Sequence, residues 1–370
     1  MYKINMVPEI IFGCGAVKTL AGRIPAQAKV LIVTSPSAEK NGNLAELCAA
    51  LGSDITTNIY AETAPEPTIQ EVDKVREIFR QGKYNAVIAL GGGSVLDVGK
   101  VTAAAASSDI PTADFFYNRA ALPERGVFMA ALPTTAGTGA EVTPNGVFTD
   151  KESNIKQSIR GGTILPALAL VDPGFCVSCP AALTAASGLD ALTQGIESYI
   201  SRNSNNTTRA LAAQGVKLID QAIEKAFRTP DDLAARSDMS EGTLLGAMAF
   251  AVSGLGAVHG LAHPLGAKLH LPHGLVCGIL LGKVLEHNSV VCRKQLTELA
   301  EFTGYSSAEQ LIGRVYELLE KFNIDPRLAA YGLKAEDLPW IVGNSRSGSM
   351  RANPRDYTDA ELTALLEEIM

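Results

Sequence analysis

The sequence is poor in cysteine, histidine and aromatic residues, and it carries no excess of basic charge. Six cysteines scattered over 370 residues exclude a disulfide framework and fit reduced thiols. Cys176 and Cys179 form a C-x-x-C, but no second pair follows at zinc-ribbon spacing, so this pair reads as structural rather than redox or metal-binding. With 32 basic against 39 acidic residues and a net charge of −7, the overall field offers nothing to nucleic acid or to an anionic membrane surface. No apolar run reaches about 18 residues without a charge, proline or glycine. The N-terminal MYKINMVPEIIFGCGAV lacks a basic segment leading into an apolar one, and a cytoplasmic, unanchored protein is expected. A 46% hydrophobic content excludes disorder and leaves a globular chain of two domains.

What is present falls into two patterns. Continuous apolar runs at Lys29–Thr34, Ala86–Leu90, Val127–Leu132 and Ala167–Val171 read as strands buried on both faces, hence a parallel sheet with helical crossovers. Residues 71–81 and 95–107 read as two of those crossover helices. After Pro180 the strand signal disappears, and helical segments follow over 183–201, 207–226, 231–251 and 307–322. The expected organisation is an α/β N-terminal dinucleotide-binding domain, residues 1–181, and an all-α C-terminal domain, residues 182–370.

Two loops leave strand ends with ligand-binding chemistry. Gly91-Gly92-Gly93-Ser94 follows a buried strand and opens a helix that carries Asp97 and Lys100. Glycines admit close approach of a ligand to the backbone, and helix-start N–H groups attract an anion such as a pyrophosphate; the plainer reading is a tight turn. Thr134-Thr135-Ala136-Gly137-Thr138, continuing to Thr143, leaves the next strand in the same way. Two such loops at strand carboxyl ends favour a dinucleotide. The strand over Lys29–Thr34 ends in Ser35, with no acid before Glu39, so nothing there repels a 2′-phosphate and either NAD or NADP is admissible.

Of five histidines, four lie in GAVHGLAHPLGAKLHLPHG: His259, His263, His270 and His273. The i, i+4 pair His259 and His263 shares one helical face, as two ligands or a ligand and a proton-transfer group would. His270 sits in a turn and is equally explained as a solvated side chain. Upstream, Asp190 and Gln194 lie one turn apart on another helix. A carboxylate with imidazoles suits divalent iron, zinc or manganese, while a carboxylate favoured near a helix start is the plain alternative for Asp190.

Taken in order, IFGCGA, GGGSVLDVGK, LPTTAGTGAEVT, VDP, GLDALTQGIESYI, VHGLAHPLGAKLHLPHG and Asn353-Pro354-Arg355 resemble the iron-containing (group III) alcohol dehydrogenases over nearly the whole chain. The resemblance implies a dehydroquinate synthase-like architecture with NAD(P) and one divalent metal, Fe²⁺ before Zn²⁺, held in a cleft between the domains. It makes Gly91, Gly92, Gly93 and Ser94 the pyrophosphate loop, with Asp97 on its helix, and Thr134, Thr135, Thr138 and Thr143 further cofactor contacts. Lys156 falls to the cofactor ribose, Asp190, His259 and His273 to the metal, and His263 to the alcohol proton. Gln194 departs from the pattern: the family has a histidine there as fourth ligand, and an amide oxygen is a much weaker donor.

The implied activity is metal-assisted hydride transfer between a nicotinamide and a small primary alcohol or aldehyde, in a homodimer or larger homo-oligomer. A polyol or hydroxyacid dehydrogenase of the same superfamily, and a metal-free dinucleotide-binding protein without turnover, are the rival readings. Lys156, Arg160 and Arg355 would suit an anionic tail on the aldehyde, against the ordinary reading of solvated surface cations.

Overall fold

The structure is a computed structural model that describes every residue except Met1 and Asn154. The chain divides into two compact units. The first comprises Ile4–Thr135 and Gly139–Cys179, and the second comprises Pro180–Met370 with residues 2–3 and Ala136–Thr138.

The α/β unit is built on six parallel strands in the order β1-β8-β5-β4-β2-β3. These are β1 (Glu9–Phe12), β2 (Lys29–Thr34), β3 (Thr56–Tyr60), β4 (Ala86–Gly91), β5 (Phe128–Pro133) and β8 (Leu168–Val171), while β6 (Asn145–Asp150) and β7 (Ile155–Arg160) form a separate antiparallel hairpin. The continuous apolar runs are explained by how the pleat distributes them. Leu31, Val33, Val87, Ala89 and Met129 enter one core, and Val30, Ile32, Ala86, Ile88 and Ala130 enter the other. Both faces of the central strands are therefore buried, which is why alternation is missing.

Helix α1 (Ile69–Gln81) starts two residues before its expected limit because Thr68 Oγ1 accepts the Glu71 N–H, a regular N-cap. Helix α2 (Gly93–Ala104) likewise starts inside the glycine loop rather than after it. Asp172, of the VDP motif, ties the first turn of the chain to β8: its Oδ1 accepts from Gly15 N and Gly174 N, and its Oδ2 from Val17 N, each at 3.1 Å.

The helical unit contains α3 (Ala181–Ile200), α4 (Asn206–Arg228), α5 (Leu233–Ser253), α6 (Ala257–Leu269), α7 (His273–Thr303) and α8 (Ala308–Lys321), followed by shorter helices. By length and composition α7 is apolar enough to cross a membrane, but most of that stretch is buried in the unit's core, among residues such as Leu189, Val216 and Leu261. Close approach of α7 to α3 depends on Gly274. A Cβ there would sit 2.1 Å from the Ala186 carbonyl oxygen and 3.0 Å from Asp190 Cβ, so only a residue without a side chain lets the two helices meet at this level. All six cysteines are thiols, and Cys176 and Cys179 are buried around a 3₁₀ turn that Asp172 caps.

Candidate active site

In the α/β unit the carboxyl ends of β2, β4 and β5 lie side by side, with Thr34 opposite Leu90 and Gly91 opposite Pro133. Thr34 Oγ1 donates to the Leu90 carbonyl at 2.7 Å, and Thr134 N donates to the Gly91 carbonyl at 3.0 Å. These bonds hold Ser35, the Gly91–Ser94 loop and Thr134-Thr135 along one edge, the position where open α/β sheets take ligands. Ser35 Oγ shares a 2.8 Å hydrogen bond with Ser37 Oγ.

Gly92 caps α2 with φ −72°, a conformation open to any residue. A Cβ on it would meet nothing closer than Thr135 Oγ1 at 3.5 Å. Neither strain nor crowding within the protein explains a glycine there, and without a side chain the backbone amides at this helix start stay open to an anion.

Asp97 is turned to structural use. Its Oδ2 accepts from Val147 N at 2.8 Å and its Oδ1 lies 3.0 Å from Lys100 Nζ. Lys100 in turn donates to the carbonyls of Ala140 and Asn145 and reaches Thr143 Oγ1 at 3.4 Å. This buried pair fastens the loop after β5 to α2. Burial raises the Asp97 carboxyl, with Lys100 opposing. Thr138 belongs to the helical unit, apart from Thr134, Thr135 and Thr143. Lys156, on β7, pairs with Glu66 at 2.5 Å, and Arg355 pairs with Glu361. These two cations thus have counterions of their own, while Arg160, the third considered for an anionic tail, ends β7 exposed.

In the helical unit three helices converge. Asp190 comes from α3, His259 and His263 from α6, and His273 from the first residue of α7. Asp190 Oδ1 lies 3.3 Å from His259 Nε2 and 3.9 Å from His273 Nε2, and the His263 and His273 rings stack at 5.0 Å. His270 does not join them; it ends α6 in a left-handed conformation, φ 54°, and is exposed.

Three residues to which sequence reasoning assigns no role in the site complete the arrangement. Glu197, one helical face along α3 from Asp190 and Gln194, accepts from His259 Nδ1 at 2.6 Å through Oε2 and from Val258 N at 2.7 Å through Oε1. Asn353 accepts from Ala257 N at 3.1 Å. Together they satisfy the first N–H groups of α6 and fix the rotation that aims His259 at Asp190. Cys277, one turn after His273, has its Sγ 3.5 Å from His273 Nε2 and 4.0 Å from His259 Nε2.

The electrostatics are those of a buried charge cluster. Burial works to lower His259, but the Glu197 carboxylate by charge and Asp190 by contact hold it well above its ordinary range. Burial pushes the Cys277 thiol up to about 12, so at neutral pH the charge that protonates His259 is carboxylate charge from Glu197 and Asp190. Burial likewise works to raise Asp190, and the facing His259 and His273 rings outweigh it and lower it.

The donors present fit a divalent cation. Asp190 is 4% exposed and its Oδ1 makes no hydrogen bond; Gln194 is 5% exposed and its Oε1 makes none either. Buried acceptors left in that state point to an electrophile that satisfies them. Glu197 holds the proton on His259 Nδ1, which leaves Nε2 as the metal-facing nitrogen.

Residues 8–173 match the iron-containing alcohol dehydrogenase family, and residues 184–370 match the C-terminal part of the Fe-containing alcohol dehydrogenase family. The chain belongs to the iron-containing alcohol dehydrogenase family. It is 34% identical to alcohol dehydrogenase 4 of Saccharomyces cerevisiae, over 98% of this chain and 96% of that protein. The crystal structure of a 1,3-propanediol oxidoreductase superposes with a TM-score of 0.94 at 30% identity, covering 100% of both chains. Sulfoacetaldehyde reductase from Bifidobacterium kashiwanohense, solved with NAD⁺, superposes with a TM-score of 0.95 at 28% identity, covering 100% of this chain and 98% of that one. The chain is therefore an NAD(P)-dependent alcohol oxidoreductase, of a family that uses an iron ion.

Proposed function

We propose that this enzyme interconverts a small primary alcohol and its aldehyde, with the two sites divided between the two units. The Gly91–Ser94 loop and the start of α2 bind the pyrophosphate, and Ser35 stands at the adenosine ribose. Thr134, Thr135, Thr138, Thr143 and Lys156 supply further cofactor contacts. With no carboxylate at Ser35 to repel a 2′-phosphate, NADP is accepted alongside NAD. Asp190, His259 and His273 hold the divalent ion, with Gln194 as a weak additional donor. When bound, the nicotinamide accepts or returns hydride and the ion polarises the alcohol oxygen. Glu197 keeps the His259 tautomer fixed, and His263, stacked on His273, takes up the alcohol proton at a ring nitrogen. The enzyme is cytoplasmic and homo-oligomeric in this reading, by extension from the family resemblance.

The observation that carries the proposal is the 2.6 Å Glu197–His259 bond, which turns Nε2 toward Asp190 Oδ1, 3.3 Å away. The test is metal analysis together with oxidation of short primary alcohols by NAD⁺ and by NADP⁺, on wild type and His273→Ala after identical chelation and reconstitution. His273→Ala should lose bound metal and about three orders of magnitude in kcat/KM, the several kcal/mol that a Lewis acid supplies. Full activity in metal-free His273→Ala protein would overturn the proposal.

A further inference from the structure

Gln194 stands where the family resemblance calls for an imidazole, which leaves the question of what completes the ligand set. We propose that Cys277 is the fourth metal ligand of this chain, in place of residue 194, and that the site consequently prefers a thiophilic ion such as zinc or cobalt to ferrous iron. The inference rests on the metal-site reading above and specifies its donors.

The first support is geometric. Asp190, His259, His273 and Cys277 each present one donor atom within 4.8 Å of those of the other three. In a tetrahedral site, bonds of about 2.0–2.2 Å to nitrogen or oxygen and about 2.3 Å to sulfur place donor atoms about 3.3–3.7 Å apart. Four of the six separations here are 3.3, 3.5, 3.9 and 4.0 Å. A small contraction of side chains closes the polyhedron without moving a helix. Cys277 also reaches the site from the same face of α7 as His273, one turn on, so the two are presented together.

The second support is charge. The site is buried on all sides but that of His273. Asp190 is the one anionic donor in direct reach of the ion, since the Glu197 carboxylate acts from behind the His259 ring through Nδ1. Binding of the ion at Sγ releases the Cys277 proton to solvent, and the resulting thiolate sets a second negative charge in direct contact with the ion, where attraction in a buried site is strongest. The third is donor chemistry: sulfur bound to zinc or cobalt is a far stronger partner than an amide oxygen, and thiolate ligation is typical of zinc and rare for sites built to hold magnesium or calcium. The unpaired Gln194 Oε1 remains a neighbour able to accept a hydrogen bond from water or alcohol.

Cobalt(II) gives the test a readout independent of turnover. Wild-type protein, freed of metal and reconstituted with cobalt, should show a near-ultraviolet sulfur-to-cobalt charge-transfer band. The band should vanish in Cys277→Ser and Cys277→Ala and persist in Gln194→Ala. In competition against a chromophoric chelator, both Cys277 variants should bind zinc at least about tenfold more weakly, with the zinc-over-iron preference narrowed. Gln194→Ala should stay within about threefold of wild type. Circular dichroism and unchanged nucleotide affinity establish that the variants are folded. Stoichiometric cobalt without the band, or affinity lost on removing Gln194 instead of Cys277, overturns the thiolate ligand while leaving the Asp190–His259–His273 site standing. Failure of cobalt and zinc to bind wild type any better than His273→Ala overturns both.

Discussion

The two sites proposed for this enzyme are made of different materials. The nucleotide loop is chiefly backbone: glycines, the first amides of α2 and hydroxyl side chains, contributed by short stretches at neighbouring strand ends. The proposed metal cluster is chiefly side chain: Asp190, His259, His273 and Cys277 arrive from three helices, and Glu197, Asn353 and Gly274 hold those helices in register. A backbone site survives almost any change around it that leaves the strand–helix turn intact. A side-chain site fails through residues that touch no ligand. The two also treat buried acids oppositely. Asp190 faces histidines and stays ionised, whereas Glu141, 3% exposed at the loop after β5, is pushed up to about 7 by burial, with Lys100 opposing.

The sharpest way to separate the two sites is Gly92→Val. Because the backbone at Gly92 is extended and the space beside it is open up to Thr135, the variant should fold normally. It should lose nucleotide affinity by about a thousandfold, roughly 4 kcal/mol, as the added branch covers the amides. Metal affinity should be unchanged. Fluorescence titration with NADH and a metal-binding assay on the same sample read the two arms, and equal loss of both would mean that the sites are not separable in this way.

The contrast between buried acids gives a stability prediction. Glu141 has an ordinary value of 4.5 and a folded value of about 7, so between these pH values the folded state binds more protons than the unfolded one. The stabilisation is complete below about pH 4.5 and is lost as pH rises through about 7, an effect of up to about 3 kcal/mol. Glu141→Gln removes the titration. Relative to wild type it should gain by up to about 3 kcal/mol between about pH 5 and about pH 8, measured by urea denaturation at each pH. A constant difference between the two proteins across that range would mean that Glu141 does not titrate on folding.

The same difference in materials decides what the sequence discloses. The strand over Lys29–Thr34 and the helix starts near the glycine loop are local, and their residues announce them. Strand β3 is a sheet edge whose first four residues are exposed, so its TTNIY carries no buried run to detect. The β6–β7 hairpin alternates buried and partly exposed residues along Asn145–Asp150, a pattern too short to stand out beside the parallel strands. In the helical unit the histidines disclose the presence of a site but not its closure. Glu197 shares a helix face with Asp190, which is a usable signal, yet its partners Val258 and His259 lie some 60 positions on. Cys277 looked like one of six scattered thiols until α7 was placed beside α3. Helix spacing relates residues along one helix; it does not say which helices meet.

The smallest effect tests whether a residue that touches no ligand still sets the metal site. Glu197→Gln keeps the size of the side chain and a carbonyl-type oxygen able to accept from His259 Nδ1 or Val258 N, but removes the charge and one of the two acceptors that now serve both. Two consequences work in opposite directions. Without the Glu197 charge His259 is easier to deprotonate, which favours metal binding at Nε2; but the ring is held less firmly in its tautomer and is a poorer donor, which disfavours it. Loss of a carboxylate behind a metal-bound histidine usually costs tenfold to a hundredfold in affinity, so the second should win. The expected result is metal affinity reduced by about tenfold to a hundredfold, with nucleotide affinity unchanged. The two effects separate by pH. The easier deprotonation helps most in mildly acidic solution, where proton competition for His259 is strongest, so the deficit should shrink as pH falls. A deficit that grows toward low pH would mean that Glu197 acts by holding the start of α6 through Val258, and not through the histidine ring.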